Sequence, residues 1–325
     1  MVSVAVILRR VRSLCSVFRL GQRLHIMTST KSVSTSSTIN METPARAYWA
    51  LAIGILCISF SAIFVRWANA PGAVNGFYRM AIAMIVLAWP FLRHVRRTGL
   101  PLRREILIAM AAGIFFGCDL IFWNTGIVLS GAATPTLMAN TAPLWVGLGA
   151  LFIFHEKLNR FFWLGLGLAM IGAASILGAD LSGDMGVGAL FGLVAAIFYA
   201  GYMLIMQRSR QRLDALPAFW LAGVSATAVL LVTALVRQEP LTGYSLTTWL
   251  NFLALGLLTQ VLGQFLVSYS LGALPASLVS PTLLAQPALT AILAIPLLGE
   301  IPTSLHVLGA VALIVGVYMV HRSRG

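Results

Sequence analysis

The chain is poor in charge. Of its 325 residues only 10% are Asp, Glu, Lys or Arg, whereas 59% are apolar or aromatic. A typical soluble domain carries about 25% charged residues, and so few charged side chains cannot cover the surface of a soluble globule of this length. The composition therefore excludes a soluble enzyme, a secreted disulfide scaffold and a disordered chain, and it predicts a polytopic membrane protein.

Residues suited to metal or cofactor chemistry are also scarce. There are three Cys and five scattered His, and none of them has metal-ligand spacing. The sequence contains no phosphate-binding glycine loop, HExxH or nucleophile elbow. We therefore expect no metal, no cofactor and no enzymatic activity. The expected partners are a small-molecule solute and the lipid bilayer. Nucleic acid is not expected, because the positive charges are dispersed over short loops.

Long apolar runs dominate what is present. A helix needs about 20 apolar residues to cross the hydrocarbon, and ten such runs occur. Numbered spans 1 to 10, they are predicted at 47–66, 71–92, 106–128, 131–154, 161–179, 185–207, 215–236, 247–271, 276–298 and 303–321. Only Arg79 and Asp119 place a formal charge well inside a span. The predicted fold class is an all-α polytopic membrane protein with ten transmembrane helices.

The charges outside the spans predict the orientation. Nineteen of the 22 Lys and Arg residues lie on the N-terminal tail, the C-terminus and the loops that follow even-numbered spans. Arg66 and Arg237 lie on the opposite side. By the positive-inside rule, both termini are expected in the cytoplasm, with the protein in the cytoplasmic membrane.

Residues 1–45 differ from the rest of the chain. Arg recurs, Ser and Thr crowd 28–38, and no acid precedes Glu42. This composition fits a targeting segment or an over-extended start, with Met27 or Met41 as the initiator. We favour the second interpretation because Met41 stands just before span 1. In either case the tail is expected to be disordered and to take no part in transport.

An internal repeat appears when the chain is shifted by 144 residues. The matched pairs are Pro143 and Pro287, Glu156 and Glu300, Gly165 and Gly309, and Gly172 and Gly316. A competing shift of 146 aligns two Pro-Thr-Leu segments but loses the Glu and Gly matches. Each copy holds five spans, so the copies at 46–180 and 181–321 must lie in opposite orientations. Inverted repeats of this kind place transporter sites near the bilayer midplane.

Several segments together carry a family resemblance. They are Asn75-Gly-Phe-Tyr-Arg79, Asp119-Leu-Ile-Phe-Trp-Asn124, Thr136-Leu-Met-Ala-Asn-Thr-Ala-Pro143, and the span ends Phe154-His-Glu156 and Leu298-Gly-Glu300. With these segments the sequence resembles the EamA-type ten-helix transporters of the drug/metabolite transporter superfamily over about residues 46–321. His155 departs from the glycine usual in the family, and it predicts a less sharp end to span 4.

The resemblance implies both a fold and an activity. Two inverted five-helix repeats would surround a central cavity near spans 1, 3, 4, 6, 8 and 9, with spans 2, 5, 7 and 10 more peripheral. It implies a secondary transporter of amino-acid-like or other small solutes or drugs, acting in efflux by alternating access. The alternative is a membrane protein that does not transport, either an intramembrane enzyme or a structural or sensory protein. Whether the chain forms a homodimer is left open.

Asp119 is the strongest candidate for a functional residue. Placing a carboxylate inside the membrane costs free energy, so such residues are usually retained for a function. Arg79 lies at a similar predicted depth on the adjacent antiparallel span. The two side chains could therefore form a buried ion pair. Alternatively, Arg79 could bind a solute carboxylate while Asp119 carries a proton or binds a cationic solute.

Uncharged residues complete the candidate site. The predicted solute or coupling residues are Asp119, Trp123, Asn124, Thr136, Asn140, Tyr199, Tyr202, Gln260, Gln264 and Gln286. The predicted structural or hinge residues are Arg79, Pro143, Pro287, Glu156 and Glu300. Each polar residue taken alone could instead serve interhelical packing. Pro143, Pro287 and Pro281 are expected to interrupt spans 4 and 9, since proline removes a backbone hydrogen bond.

Overall fold

In the computed structural model, the described residues are 44–130, 133–178, 186–298 and 304–323. Almost all of the predicted tail and also Glu300 lie outside these ranges. Every regular element within them is helical. The ten predicted spans all coincide with helices, and eight segments are long and apolar enough to cross a membrane. The apolar part of span 5, Arg160–Ile176, is shorter. The all-α polytopic fold class is therefore confirmed.

Six spans are single helices. They are span 2 (Gly72–Thr98), span 3 (Arg103–Ser130), span 5 (Arg160–Gly178), span 6 (Gly186–Arg210), span 7 (Ala215–Val236) and span 10 (Ser304–Arg322). Many of their outward side chains are apolar and exposed, such as Ile85 at 73% and Val236 at 78%. Such exposure fits contact with lipid rather than water.

The other four spans are irregular: three are divided, and one contains a π-helical segment. Span 1 consists of Pro44–Ile58 and Ser61–Ala68, span 4 of Ala133–Ala139 and Ala142–Ile153, and span 9 of Ala276–Leu283 and Ala285–Leu298. Span 8 runs from Leu246 to Ser270, with a π-helical segment over Leu255–Gln264. The sequence analysis predicted the interruptions of spans 4 and 9 but not those of spans 1 and 8.

The repeated prolines explain the breaks in spans 4 and 9. A helical residue normally donates its N–H to the carbonyl four residues earlier, and proline cannot do so. The carbonyl that Pro143 leaves unpaired is that of Ala139, and for Pro287 it is that of Leu283. Each of these residues ends the first helix of its span. Pro281, by contrast, lies inside Ala276–Leu283 and does not interrupt it.

Spans 5 and 10 pack through the repeated glycines. A Cβ atom on Gly165 would lie 2.8 Å from the carbonyl oxygen of Gly316, and one on Gly172 would lie 2.5 Å from that of Gly309. The residue number on span 10 falls from 316 to 309 as the residue number on span 5 rises from 165 to 172, so the two spans run antiparallel. The 144-residue shift carries Gly165 to Gly309 and Gly172 to Gly316. The shift therefore converts the Gly165–Gly316 contact into the Gly309–Gly172 contact. This is the pattern expected when a two-fold axis relates the two repeats. The two repeats are inverted.

The end of span 4 differs from the expectation. His155 has a φ of 54°, in the left-handed region where glycine is favoured. The helix stops at Ile153, and the N–H of Glu156 donates to the carbonyl of Ala150 at 3.1 Å. His155 thus takes the conformation that a glycine would, and the span ends sharply.

Candidate functional site

Asp119 lies deep within span 3. It stands eleven residues before the helix ends at Ser130, about 16 Å at 1.5 Å per residue, and the residue is only 8% exposed. Among the described residues, its carboxylate makes no hydrogen bond and no ion pair within 4 Å. A buried carboxylate without such partners is unfavourable, so Asp119 stays the leading candidate for binding a proton or a ligand.

Arg79 takes its partners from two other spans. Its Nε donates to Oε1 of Gln260 at 2.8 Å, and its Nη1 donates to Oγ of Ser61 at 2.9 Å. The guanidinium thereby connects span 2 to spans 1 and 8. Among the described residues, it does not form the direct ion pair with Asp119 that the sequence left open.

The packing of spans 2 and 3 places Arg79 and Asp119 at a similar depth. Gly76 faces Asn124, whose Nδ2 would lie 3.4 Å from a Cβ on that glycine. A Cβ on Gly72 would lie 2.8 Å from the backbone N of Thr125. Since the spans run antiparallel, these two contacts place Arg79 level with residues 118–121, a stretch that includes Asp119. The similar depth predicted from the span boundaries therefore agrees with the packing, and the guanidinium is nevertheless held by Gln260 and Ser61.

Aromatic side chains surround the level of Asp119. Phe116, one turn away, stacks on Tyr202 with ring centroids 4.6 Å apart, and Tyr199 lies 5.7 Å from Tyr202. Gln264 Nε2 donates to the hydroxyls of Tyr202 at 3.4 Å and Tyr199 at 3.5 Å. Spans 3, 6 and 8 thus bring four of the predicted site residues together.

The remaining candidates of spans 3 and 4 form a neighbouring group. Trp123 Nε1 donates to Oγ1 of Thr136 at 3.2 Å, while Asn140 Nδ2 donates to the Thr136 carbonyl at 2.9 Å. Asn124 is buried, and its Oδ1 is without a hydrogen-bond partner among the described residues. Thr136 thus joins two predicted residues, and Asn140 stabilises the backbone just before the break in span 4.

Gln286 lies beside the break in span 1. Its Nε2 donates to the carbonyl of Ile58 at 3.3 Å, at the break in span 1. Thr290, one turn further along span 9, donates to the carbonyl of Ser59 at 2.8 Å. The sequence analysis missed Thr290 and also Ser61, the partner of Arg79. The spacing of four between Gln286 and Thr290 was the one available signal for Thr290.

The start of span 9 is tied to the ends of two other spans. Glu156, just after span 4, accepts a hydrogen bond from Oγ of Ser277 at 2.5 Å. Gln207, near the end of span 6, accepts one from the N–H of Ala276 at 2.8 Å. The paired residue Glu300 lies outside the described ranges. In the part of the chain that the structure describes, no group of three or more His, Cys, Asp and Glu could hold a metal ion.

Ten apolar spans in two inverted repeats, with a buried carboxylate among aromatic and amide side chains, form an architecture that membrane transporters use. The EamA-like transporter family model matches residues 45–178 and 186–322. The chain therefore belongs to this family.

Curated relatives carry related names. The uncharacterized transporter YdfC of Bacillus subtilis is 28% identical over 277 residues, covering 81% of this chain and 89% of the relative. A probable amino-acid metabolite efflux pump of Salmonella typhimurium is 29% identical over 255 residues, covering 73% and 83%. A solved crystal structure superposes with a TM-score of 0.71 at 18% identity, covering 86% of this chain and 98% of that one. At that identity the likeness shows the fold alone.

Proposed function

We propose that the protein exports small amino-acid-like solutes by alternating access, as a secondary transporter. The observation that carries this proposal is the Asp119 carboxylate, which is buried in the middle of span 3 without a hydrogen bond among the described residues. A solute ammonium group would supply its missing partner. The rings of Tyr199 and Tyr202 suit the rest of a small amphipathic solute, since cations and apolar groups both bind aromatic faces.

The other site residues fall into two roles under this proposal. Gln264, Trp123 and Thr136 carry polar atoms on the spans that hold the site, and in this proposal they orient the solute. Arg79 is a scaffold residue, because its guanidinium is held by Gln260 and Ser61. Its positive charge, fixed nearby, lowers the cost of burying Asp119 when the site is empty.

Pro143 and Pro287 act as hinges in this scheme. Each divides its span into two helices at equivalent positions of the inverted repeats. A proline break permits the two halves of a span to tilt separately without losing a further backbone hydrogen bond. Alternate tilting of spans 4 and 9 would open the site first to one side of the membrane and then to the other.

The solute class is tested by export measurements. Cells that overproduce the protein are loaded with dipeptides, and the amino acids that appear outside are measured over time against cells carrying the empty vector. We expect faster export of one or a few amino acids and higher resistance to their toxic analogues. Equal export of all amino acids in both strains would contradict the amino-acid assignment, and a parallel panel of organic amines then tests cationic solutes.

The orientation is part of the same proposal. The distribution of Lys and Arg favours a cytoplasmic location for both termini in the cytoplasmic membrane. A reporter fused after Ser323 should be active in its cytoplasmic form, and one inserted within 240–245 should be active in its external form. The reverse pair of results would contradict the orientation while leaving the inverted repeat intact.

A further inference from the structure

The break in span 1 is held by side chains of span 9. The carbonyl of Ser59 accepts no backbone hydrogen bond among those of the described chain, and Thr290 Oγ1 donates to it at 2.8 Å. The carbonyl of Ile58 accepts from Gln286 Nε2 at 3.3 Å. A carbonyl freed within the membrane costs several kcal/mol unless a neighbouring group pairs with it. The two donors therefore satisfy carbonyls exposed by the break.

The equivalent place in the other repeat lacks both donors. The 144-residue shift carries Gln286 to Ala142 and Thr290 to Val146, and neither side chain can donate a hydrogen bond. Val146 is fully buried. Span 6, the counterpart of span 1, is one unbroken helix from Gly186 to Arg210. The helix is thus broken where the facing span supplies donors and continuous where it does not.

Both donors belong to one helix. The helix Ala285–Leu298 begins directly after the break at Leu284, so Gln286 and Thr290 lie in its first two turns. A tilt of this helix would withdraw both side chains from span 1 together. On the other side of the break, Ser61 is held by Arg79, which is itself bonded to Gln260 of span 8. The break in span 1 is therefore contacted by span 9 at Ser59 and by Arg79 of span 2 at Ser61.

From this geometry we propose that Gln286 and Thr290 are positioning residues that hold span 1 in its broken form and release it during each transport cycle. When span 9 tilts away, the Ile58 and Ser59 carbonyls recover partners only from the backbone N–H groups four residues on, and span 1 straightens. The two repeats are thereby coupled through two hydrogen bonds. This proposal rests on alternating access as the proposed function, but it concerns a conformational change that can be measured without a solute.

A natural cysteine reports on the break. Cys57 immediately precedes Ile58 and is 8% exposed. With Cys15 and Cys118 replaced by Ser, the rate at which N-ethylmaleimide alkylates Cys57 in membrane vesicles follows the conformation of this segment alone. Thr290→Val keeps the side-chain shape and removes the donor, whereas Thr290→Ser keeps the donor. Thr227→Val is a matched control, because the Thr227 hydroxyl bonds only to its own span, at the Gly223 carbonyl at 2.7 Å.

We expect Thr290→Val to change the alkylation rate of Cys57 about fivefold, the effect of one lost hydrogen bond on a two-state equilibrium. Thr290→Ser should behave as the parent protein, and Thr227→Val should have no effect. For any exported amino acid, Thr290→Val should lower the maximal rate and leave the KM unchanged.

Two results would overturn the proposal. One is a parental alkylation rate in a well-folded Thr290→Val protein, and the other is an equal change in Thr290→Ser. If Thr290→Val does not fold, Gln286→Met provides the same test at the Ile58 carbonyl. If no solute is exported by the parent protein, the proposed function fails, yet the alkylation rates still decide whether span 9 holds the break.

Discussion

In the first repeat, span 1 is broken after Ile58, whereas its counterpart in the second repeat, span 6, runs unbroken from Gly186 to Arg210. The facing spans 9 and 4 share their proline breaks at equivalent positions. They differ in the side chains that follow the break, which are Gln286 and Thr290 in span 9 but Ala142 and Val146 in span 4. Two copies of one fold thus reach different local structures because only one of them can pair the freed carbonyls.

The repeats also differ in charge. The 144-residue shift carries Asp119 to Gly263 and Arg79 to Gly223. A Cβ on Gly263 would lie 2.6 Å from Cγ2 of Ile58, so the absence of a side chain here allows span 1 to pack closely. The first repeat has the Asp119 carboxylate at the equivalent position. The second repeat contributes amides instead, and Gln260 binds the guanidinium of Arg79 at 2.8 Å. The candidate site is therefore charged on one side and neutral on the other.

The largest effect of a substitution on export is expected at Asp119, on the charged side of the candidate site. Asp119→Asn keeps the size of the side chain and removes its charge, and export should fall about 100-fold because a charge-assisted contact to the solute is lost. Glu105→Gln, at a partly exposed acid in the first turn of the same span, is the control and should export normally. Export is measured per amount of protein in the membrane.

The outcome at Asp119 also distinguishes the two roles weighed for it. Normal export by well-expressed Asp119→Asn would contradict the solute or coupling role. Poor expression of the variant, restored when Arg79→Gln is added, would instead indicate that the two charges serve stability as a pair. The double-mutant cycle on expression separates these cases.

A smaller effect is expected at the shared breaks. Pro143→Ala and Pro287→Ala restore the N–H that can bond to the carbonyls of Ala139 and Leu283, and a continuous helix is then favoured. We expect export to fall about tenfold in either variant, with membrane insertion intact, since one regained backbone hydrogen bond shifts the balance towards the continuous helix by up to about 1.5 kcal/mol. The measurement is export beside protease protection of the termini. Unchanged export in both variants would reduce the prolines to packing residues.

The two-fold contact of spans 5 and 10 predicts matched effects on stability. A Cβ on Gly172 would lie 2.5 Å from backbone atoms of span 10, and one on Gly316 would lie 2.4 Å from the backbone of span 5. The corresponding closest distance is 2.8 Å for both Gly165 and Gly309. Gly172→Ala and Gly316→Ala should lower stability equally, by about 1–3 kcal/mol, and Gly165→Ala and Gly309→Ala should lower it less.

Gly167→Ala is the control for this series, because no heavy atom lies within 4 Å of the added Cβ. Stability is measured as the fraction of monodisperse protein after heating in detergent. Unequal losses at Gly172 and Gly316 would show that the two repeats differ at this contact in spite of their geometry.

The smallest effect is expected at the end of span 4. His155 has a φ of 54°, and glycine adopts this region without the penalty of about 1 kcal/mol that a Cβ carries there. His155→Gly should therefore raise the stability of the detergent-solubilised protein by about 1 kcal/mol and leave export unchanged. A loss of stability would show that the imidazole makes a contact worth more than the backbone strain.

Much of the site could be read from residue type and spacing. Asp119 stood out because carboxylates are rare in apolar spans, and Pro143 and Pro287 stood out because they recur at the same place in each repeat. Tyr199, Tyr202 and Gln264 were identified as polar or aromatic residues of neighbouring cavity spans, and the structure brings them together. Gln286 was identified for the same reason, yet its amide binds the backbone of span 1.

The sequence by itself determined the ten spans, the two repeats and their inverted arrangement. Span length follows from the thickness of the bilayer, and an odd number of spans per repeat requires opposite orientations. Only the tertiary structure decided where Arg79 finds its partners and why span 1 is broken. Gln260 is 181 residues from Arg79, and Thr290 is 231 residues from Ser59. Such contacts depend on the rotation and register of packed helices, which apolar sequence patterns leave undetermined because lipid and protein interior are equally apolar.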